Sequence, residues 1–343
     1  GVVNGCPSHL LEPSRINRVP FSEDINNSAW SKLNITVSPN SIISPSGLLN
    51  ADLITENTVN GQHRVIDVLT LTSGVAHTIS AFIKPNGSKF ARLRLENAAI
   101  GSGQINVFFD LENGVVSSGN GSIEEYPNGW YRLKGFGTTS GATNVIYVAL
   151  ANADGAVSYQ GDGVSGAYVW GVQAEQGSYA TSYIPTTTSA VTRSAETANG
   201  AGDASTFNSS EGVLMAEIAL QDGDNETRQF SLSNGSDAEN VKILQLNSST
   251  IRFECKMSSG SNFVKDVVIA AENNNKFLIQ YKSNDYKIFV NGFAQSVGQR
   301  STTPIGLNTI NFDRGDGASD FYGSTKQIQY FDSALNDSDL ETL

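Results

Sequence analysis

Seven short runs of β-branched and aromatic residues, each closed by Gly, Asn, Ser or Pro, constrain the first half of this chain more than any other feature. They are Arg64 to Leu71 (RVIDVLTL), His77 to Ile83 (HTISAFI), Phe90 to Leu95 (FARLRL), Ile105 to Asp110 (INVFFD), Trp130 to Phe136 (WYRLKGF), Val145 to Ala149 (VIYVA) and Ala167 to Ala174 (AYVWGVQA). Runs of this length and chemistry read as strands, and their even spacing with turn residues between them predicts an antiparallel β-sandwich. Within AYVWGVQA, simple alternation puts Tyr168, Trp170, Val172 and Ala174 on one face, which would turn Trp170 into the core.

A second series begins after a change of composition. From Val191 to Phe207 the chain has almost no large apolar side chain, whereas Val213 to Leu220, Gln229 to Leu232, Val241 to Leu246, Ile251 to Met257, Phe263 to Ala270, Phe277 to Tyr281, Tyr286 to Val290 and Ile328 to Phe331 again read as strands. The fold class expected is therefore all-β, two antiparallel sandwiches of jelly-roll type, which 343 residues are long enough to fill. The expected division is residues 1–196, a linker at 197–206 and a second sandwich at 207–343. Asn291-Gly292 supplies the positive backbone angles of a type I′ hairpin. Asn336 opens NDSDLETL, where a capping side chain and acidic first turn predict one short terminal helix.

Charge and residue inventory exclude several functions. With 22 Lys plus Arg against 34 Asp plus Glu, a formal charge of −12 repels phosphate backbones, so no nucleic acid is expected as a partner. No window is apolar enough for a membrane span and GVVNGCPSHLLEPSR has no apolar signal core, so no membrane insertion is expected. Cys6 and Cys255 form neither a disulfide framework nor a zinc-site spacing and are expected reduced. His9, His63 and His77 lie in no catalytic motif, and the adjacent Glu124 and Glu125 point to opposite faces of a strand, so they cannot act on one glycosidic bond. The chain is read as a non-enzyme.

What remains favours binding, because sugars are held by flat aromatic faces and planar polar groups. The first half contains all three tryptophans. Tyr126 and Trp130 flank the tight turn EYPNG, where two rings could stack a sugar, although a core role for Trp130 fits the usual burial of tryptophan better. Tyr159 and Asp162 share the glycine-rich SYQGDG and are the exposed candidates. Trp30, after INNSA, reads as a cap. In FDRGDGASDFYG, Asp313, Asp316 and Asp320 are candidate calcium ligands, but D-x-x-D-x-x-x-D does not match an EF-hand loop, which favours solvated charge there and at Asp222 and Asp224. No other cofactor is implied.

Three stretches carry a resemblance. CPSHLLEPSRINRVPFSEDINNSAW (Cys6 to Trp30), NGWYRL (Asn128 to Leu133) and WGVQAEQGSYATSYIPTTTSAVTRSAE (Trp170 to Glu196) resemble a β-sandwich module of phage tail and head-fibre proteins and marine bacterial surface proteins. YKIFVNGFAQ, INFDRGDGASDFYGS and QIQYFDSALNDSDLETL resemble the concanavalin A-like, laminin-G-like jelly roll. The resemblance implies a non-catalytic adhesin, the receptor-binding part of a phage fibre or spike, directed at bacterial surface glycans. Its location would be the virion, or the cell surface if the source is bacterial; attachment proteins commonly use symmetric oligomers, so a homo-oligomer such as a trimer, or assembly with other virion proteins, is the partner state it implies. A pair of glycan-binding modules from a secreted polysaccharide-degrading enzyme and a purely structural filament component are the alternatives.

Overall fold

Alternation along these runs becomes two six-stranded antiparallel sheets in each half of the chain, so the protein is all-β. The computed structural model describes residues 8–220, 227–247, 249–269 and 275–343. Cys6, Asp222 and Asp224 lie outside the described residues.

The chain divides into two compact units that meet in sequence at Ser194 and Ala195. In the first, one sheet runs in the order 115–118, 102–110, 90–97, 143–151, 64–70 and 31–33. The other runs in the order Gly121–Tyr126, Trp130–Thr138, Ala76–Asn86, Gly166–Gln176, Leu49–Glu56 and Ile35–Ile43. Leu93, Leu95, Val107, Phe109, Ile146 and Val148 from the first sheet meet Ile54, Ile79, Ile83, Leu133 and Val169 from the second in one buried core. Trp30 belongs to that core, 1% exposed, with its indole N–H donating to the Phe21 carbonyl at 3.2 Å.

Five strands of these two sheets escape the sequence reading, Ser31–Leu33, Ile35–Ile43, Leu49–Glu56, Val115–Ser118 and Gly121–Tyr126, and two of them show why. ITVSPNSII has Pro39 in its middle, which a central strand excludes but an edge strand tolerates, and the structure uses it at the sheet edge with a break of register between Ser38 and Ile42. LNADLITE carries Asp52 and Asn50 among its apolar residues. Asp52 is nonetheless 2% exposed, because its carboxylate accepts from the backbone amides of Asn26 at 3.0 Å and Asn40 at 2.9 Å and ties two loops together.

The second unit has sheets of order 9–11, 323–331, 211–220, 275–282, 286–290, 293–298 and 199–201, 309–311, 228–233, 240–247, 250–256, 263–268. Phe230, Phe253, Phe277, Tyr281, Tyr286 and Phe321 fill the space between them. Cys255 is fully buried there, and burial pushes its thiol well above the ordinary range. The hairpin at Asn291-Gly292 forms with φ of 52° and 79°, and Val290 pairs with Phe293. The terminal helix forms at Asp337–Thr342, capped by the Asn336 side chain accepting from the Asp339 amide at 3.0 Å.

Two boundaries differ from those expected. His9–Leu11, at the start of the chain, pairs with the Gly323–Phe331 strand and so belongs to the second unit. Asn199–Ala201, expected inside a linker, pairs with Thr309–Asn311 as an edge strand. Both stretches are three residues long, too short to show a period; Asn199–Ala201 is recruited by backbone pairing, and His9–Leu11 by pairing and by the burial of Leu11. Leu11 is 3% exposed in the second core. Leu11→Ala is therefore expected to destabilise the second unit by about 2 kcal/mol, the low end for a buried leucine because the strand lies at a sheet edge. Hydrogen exchange of the 323–331 amides would show it as faster opening. No helix among the described residues is long and apolar enough to cross a membrane.

Candidate functional site

The site grows from one irregularity in the Gly166–Gln176 strand. Ala167 and Val169 face the core, and so do Val172 and Ala174, a step of three residues where alternation requires two. Pairing with the Ala76–Asn86 strand shifts between Trp170 and Gln173, and Gly171 sits in this bulge at φ +63°. Trp170 is thereby placed on the outer face of the sheet and not in the sandwich core, the reverse of simple alternation. Val172 and Ala174 remain inside.

On that outer face Trp170 joins Phe82, Trp130 and Ala51 in a second buried cluster, with Ile42, Tyr126, Tyr168 and Tyr183 packed half-buried around it. Phe82 is its centre. It pairs across the sheet with Trp170 on one side and Arg132 on the other, and its ring lies 5.2 Å from the Trp170 ring, 5.0 Å from that of Tyr126 and 5.4 Å from the Arg132 guanidinium carbon. An outer face of an antiparallel sheet is ordinarily polar, so five aromatic rings from the strands of one such face, with Tyr183 laid against them, need a cause.

Part of the cause is the chain after the strand. Gln173 and Glu175, on the same outer face below Trp170, hold residues 181–184 down. The Thr181 amide donates to Glu175 Oε1 at 2.9 Å, the Ile184 amide to Gln173 Oε1 at 2.7 Å, and Arg132 Nη2 donates to the Thr181 carbonyl at 2.6 Å. Tyr183 stacks 4.6 Å from Trp170, and its hydroxyl shares a 2.5 Å hydrogen bond with Ser22. This segment covers the lower half of the face. Above it Tyr126, Tyr168 and Lys84 remain half-exposed.

Through the hydrogen bond between Tyr183 and Glu23 the cluster adjoins a cavity of about 630 Å³ lined by Phe21, Glu23, Asp24, Asn26, Asn40, Asn50 and Asp52, the last two on the strand parity opposite to the outer face, where Asp52 pairs with the core residue Val169. Glu23 accepts from Asn50 Nδ2 at 3.0 Å and is also hydrogen-bonded by Tyr183, and burial raises its carboxyl above the usual range. Phe21 holds its ring at this cavity with a left-handed φ of 48°, a strained setting for a bulky residue. The arrangement offers flat rings on one side and amides and carboxylates on the other.

The residues expected to bind sugar are therefore divided. Tyr126 and Trp130 do come together, as the pair closing the hairpin over the 127–129 turn, and both belong to the outer-face cluster. Trp130 is only 2% exposed, however, so it supports the face from beneath and offers no ring to a ligand. Tyr159 is not an exposed loop residue. It lies in the short strand Ser158–Gln160 paired with Asn60–Gln62, its ring 4.8 Å from that of His63 and its hydroxyl donating to the buried Glu56 at 2.5 Å. Asp162 is exposed, and its carboxylate accepts from the Ser165 hydroxyl at 2.6 Å and from the amides of Ser165 and Val164, both at 2.7 Å, which together lower its pKa to about 2. Both residues line a smaller cavity of about 260 Å³ with Glu56 and Lys89, away from the aromatic face. Tyr159→Phe is expected to cost about 1–2 kcal/mol by leaving Glu56 short of a donor, a larger effect than an exposed loop side chain would give, and a thermal melt measures it.

The three aspartates of the second unit are engaged separately. Asp313, 1% exposed, accepts from the Gly315 amide and, at 2.8 Å, from Asn199 Nδ2; Asp316 pairs with Arg314 at 2.7 Å; Asp320 accepts from the Tyr322 hydroxyl at 3.1 Å. Among the described residues no group of three His, Cys, Asp or Glu side chains is placed to hold a metal ion, so the calcium reading of this loop has no geometry behind it.

Phe82, Lys84, Arg132, Tyr168 and Tyr183 escape the sequence reading. The signal for Phe82 is present in HTISAFI, where apolar residues occupy both parities and so mark a strand covered on both faces.

Comparisons with known proteins give distant likenesses. No protein-family model and no curated protein matches the sequence. Among solved structures the chain is similar to the CBM40 of the Ruminococcus gnavus IT-sialidase bound to α2,3-sialyllactose, at 16% identity and TM-score 0.36, over 42% of this chain and 92% of that one. It is similar to the SAP-like pentraxin of Limulus polyphemus at 11% identity and TM-score 0.32, over 42% and 73%. Domains LG4-5 of the mouse laminin α1 chain match at 8% identity and TM-score 0.29, over 81% and 90%. The class of the protein, two consecutive antiparallel β-sandwiches, rests on the sheets themselves.

Proposed function

We propose that this chain is a non-catalytic glycan-binding protein whose first sandwich receives the sugar on the outer face built around Phe82 and Trp170. The observation that carries the reading is the aromatic cluster on the solvent side of an antiparallel sheet, bordered by half-exposed Tyr126 and Tyr168, with an amide- and carboxylate-lined cavity adjoining it through the Tyr183–Glu23 hydrogen bond. Rings cover the C–H faces of a pyranose, and Asn26, Asn40 and Asn50 match its hydroxyls in both donor and acceptor capacity.

The biological setting we assign is the receptor-binding part of a phage fibre or spike directed at bacterial surface glycans, supported by the resemblance of Cys6 to Trp30, Asn128 to Leu133 and Trp170 to Glu196 to fibre modules. A trimeric or virion-assembled state belongs to the same proposal. A glycan array with the full chain and with Tyr126→Ala tests the binding reading. Wild-type retention on a defined set of glycans, lost at least tenfold in the variant with its melt unchanged, supports it. An array without retention, or one on which the variant binds equally, contradicts it.

A further inference from the structure

A third cavity of the first unit, about 190 Å³, is lined by Ser14, Arg15, Ile16, Arg18 and Gln176. Arg15–Asn17 is a short strand paired with Val191–Arg193, and the Arg18 amide donates to the Ala174 carbonyl at 2.9 Å, which lays residues 14–18 beside the end of the Gly166–Gln176 strand. Arg15 rests its guanidinium on Gly177, the residue after Gln176, where a Cβ would stand 3.0 Å from Nη2. Arg18 acts on His77, the register partner of Gln176: burial holds that imidazole below its ordinary range, the Val75 carbonyl opposes this, and the Arg18 charge adds to the lowering. Both guanidiniums thus flank Gln176.

Their donors are open. The side chains of Ser14, Arg18 and Gln176 are exposed and make no hydrogen bond or ion pair among the described residues. Arg15 donates from Nη1 to the Ser14 carbonyl at 3.1 Å, and its Nη2 donates to none of the described residues. The counter-charge is Glu175, 3.8 Å from Arg15 Nε; it is 0% exposed, and its oxygens already accept from Gln173 and from the amide and hydroxyl of Thr181, so it balances Arg15 from beneath and leaves Arg18 unbalanced. Arg193 stands directly opposite Arg15 on the paired strand, where like charges repel. A chain of formal charge −12 therefore holds a cleft of positive sign.

We propose that this cleft binds a tetrahedral oxyanion, a phosphate or sulfate group, held by Arg15 and Arg18 with Ser14 and Gln176 as neutral donors. Such a group only accepts, on oxygens that point in several directions, and so answers donors arriving from two strands; a planar carboxylate offers two oxygens and chloride has no directional acceptor. Contacts of this kind weaken with salt. The site does not depend on the aromatic face, and either can fail without the other.

The experiment titrates the full chain with inorganic phosphate, inorganic sulfate, glycerol 3-phosphate, acetate and chloride at matched ionic strength, read by calorimetry and by the His77 ring signals. The expected result is saturable binding of phosphate or sulfate, at least tenfold tighter than of acetate or chloride, that moves the His77 signals with the same affinity. Arg18→Gln should weaken it at least tenfold with the melt unchanged, and Arg18→Lys should recover part of the loss. Arg252→Gln, which removes an exposed arginine of the second unit, should change nothing. Glycerol 3-phosphate bound as tightly as phosphate assigns the cleft to an ester carried on a larger ligand, and binding of the inorganic ions alone assigns it to the free ion. No saturable binding, acetate bound as tightly as phosphate, His77 signals that stay fixed, binding that Arg18→Gln leaves intact, or an equal loss in Arg252→Gln overturns the inference.

Discussion

Trp170→Ala is expected to lose both stability and binding. The side chain is 5% exposed and packs on Phe82 and Tyr183 at ring distances of 5.2 and 4.6 Å, so truncation leaves a void of tryptophan size and is expected to cost about 3–5 kcal/mol. The void opens beneath the outer face and not between the sheets. Hence the damage centres on the 177–187 segment and Phe82, and glycan affinity falls with the floor of the site. Thermal melts and calorimetry read the two effects. A simple core tryptophan would give the first alone, and an exposed binding tryptophan the second alone. Loss of binding at an unchanged melting temperature would place Trp170 at the surface and contradict the packing described here.

Gly171→Val should be comparably damaging for a different reason. Gly171 has φ +63°, where a β-branched residue is strained by about 1–3 kcal/mol, and a Cβ there would stand 3.0 Å from Phe82 and 3.3 Å from Tyr183, adding about 1–3 kcal/mol of overpacking. The combined cost is expected near 4 kcal/mol. More importantly, the bulge is what lets one strand put Val169 and Val172 into the core and Trp170 outside it. Relieving the strain by restoring regular alternation would drive either Trp170 into the core or Val172 out of it. Both predict broadened, altered tryptophan fluorescence along with the lower melt; a variant folding at wild-type stability would mean the bulge is dispensable.

This residue also marks where sequence reading stops. Strands with one apolar parity were legible, because Leu93, Leu95, Val107 and Ile146 alternate as a two-sided sandwich demands, and so were the Asn291-Gly292 turn and the Asn336 cap, whose chemistry is local. The bulge was not, since a glycine inside an apolar strand is equally compatible with regular pairing. Tyr126 was legible as a residue beside its turn, and the structure packs it at the edge of the outer-face cluster. Trp130 was placed beside it correctly but is covered, because whether a ring at a hairpin mouth is open depends on Phe82 and Trp170, brought there from other strands. Tyr159 sat in a glycine-rich loop by composition, yet its hydroxyl reaches Glu56, 103 residues away, and only the fold supplies that contact. That Lys84 and Arg132 share this face was hidden by the same long-range pairing.

The central claim is that ligand meets the outer face of the first sandwich, and the three tryptophans report on it directly. Trp30 is in the sandwich core with its indole N–H bound to the Phe21 carbonyl, whereas Trp130 and Trp170 support the outer face. Their three indole N–H resonances in a ¹⁵N–¹H spectrum, assigned by Trp→Phe variants, can be followed while an oligosaccharide that binds the full chain is added. The account predicts that the Trp170 and Trp130 signals shift together and saturate with the calorimetric affinity while Trp30 stays fixed. Saturable binding that leaves both outer-face indoles unmoved would contradict it.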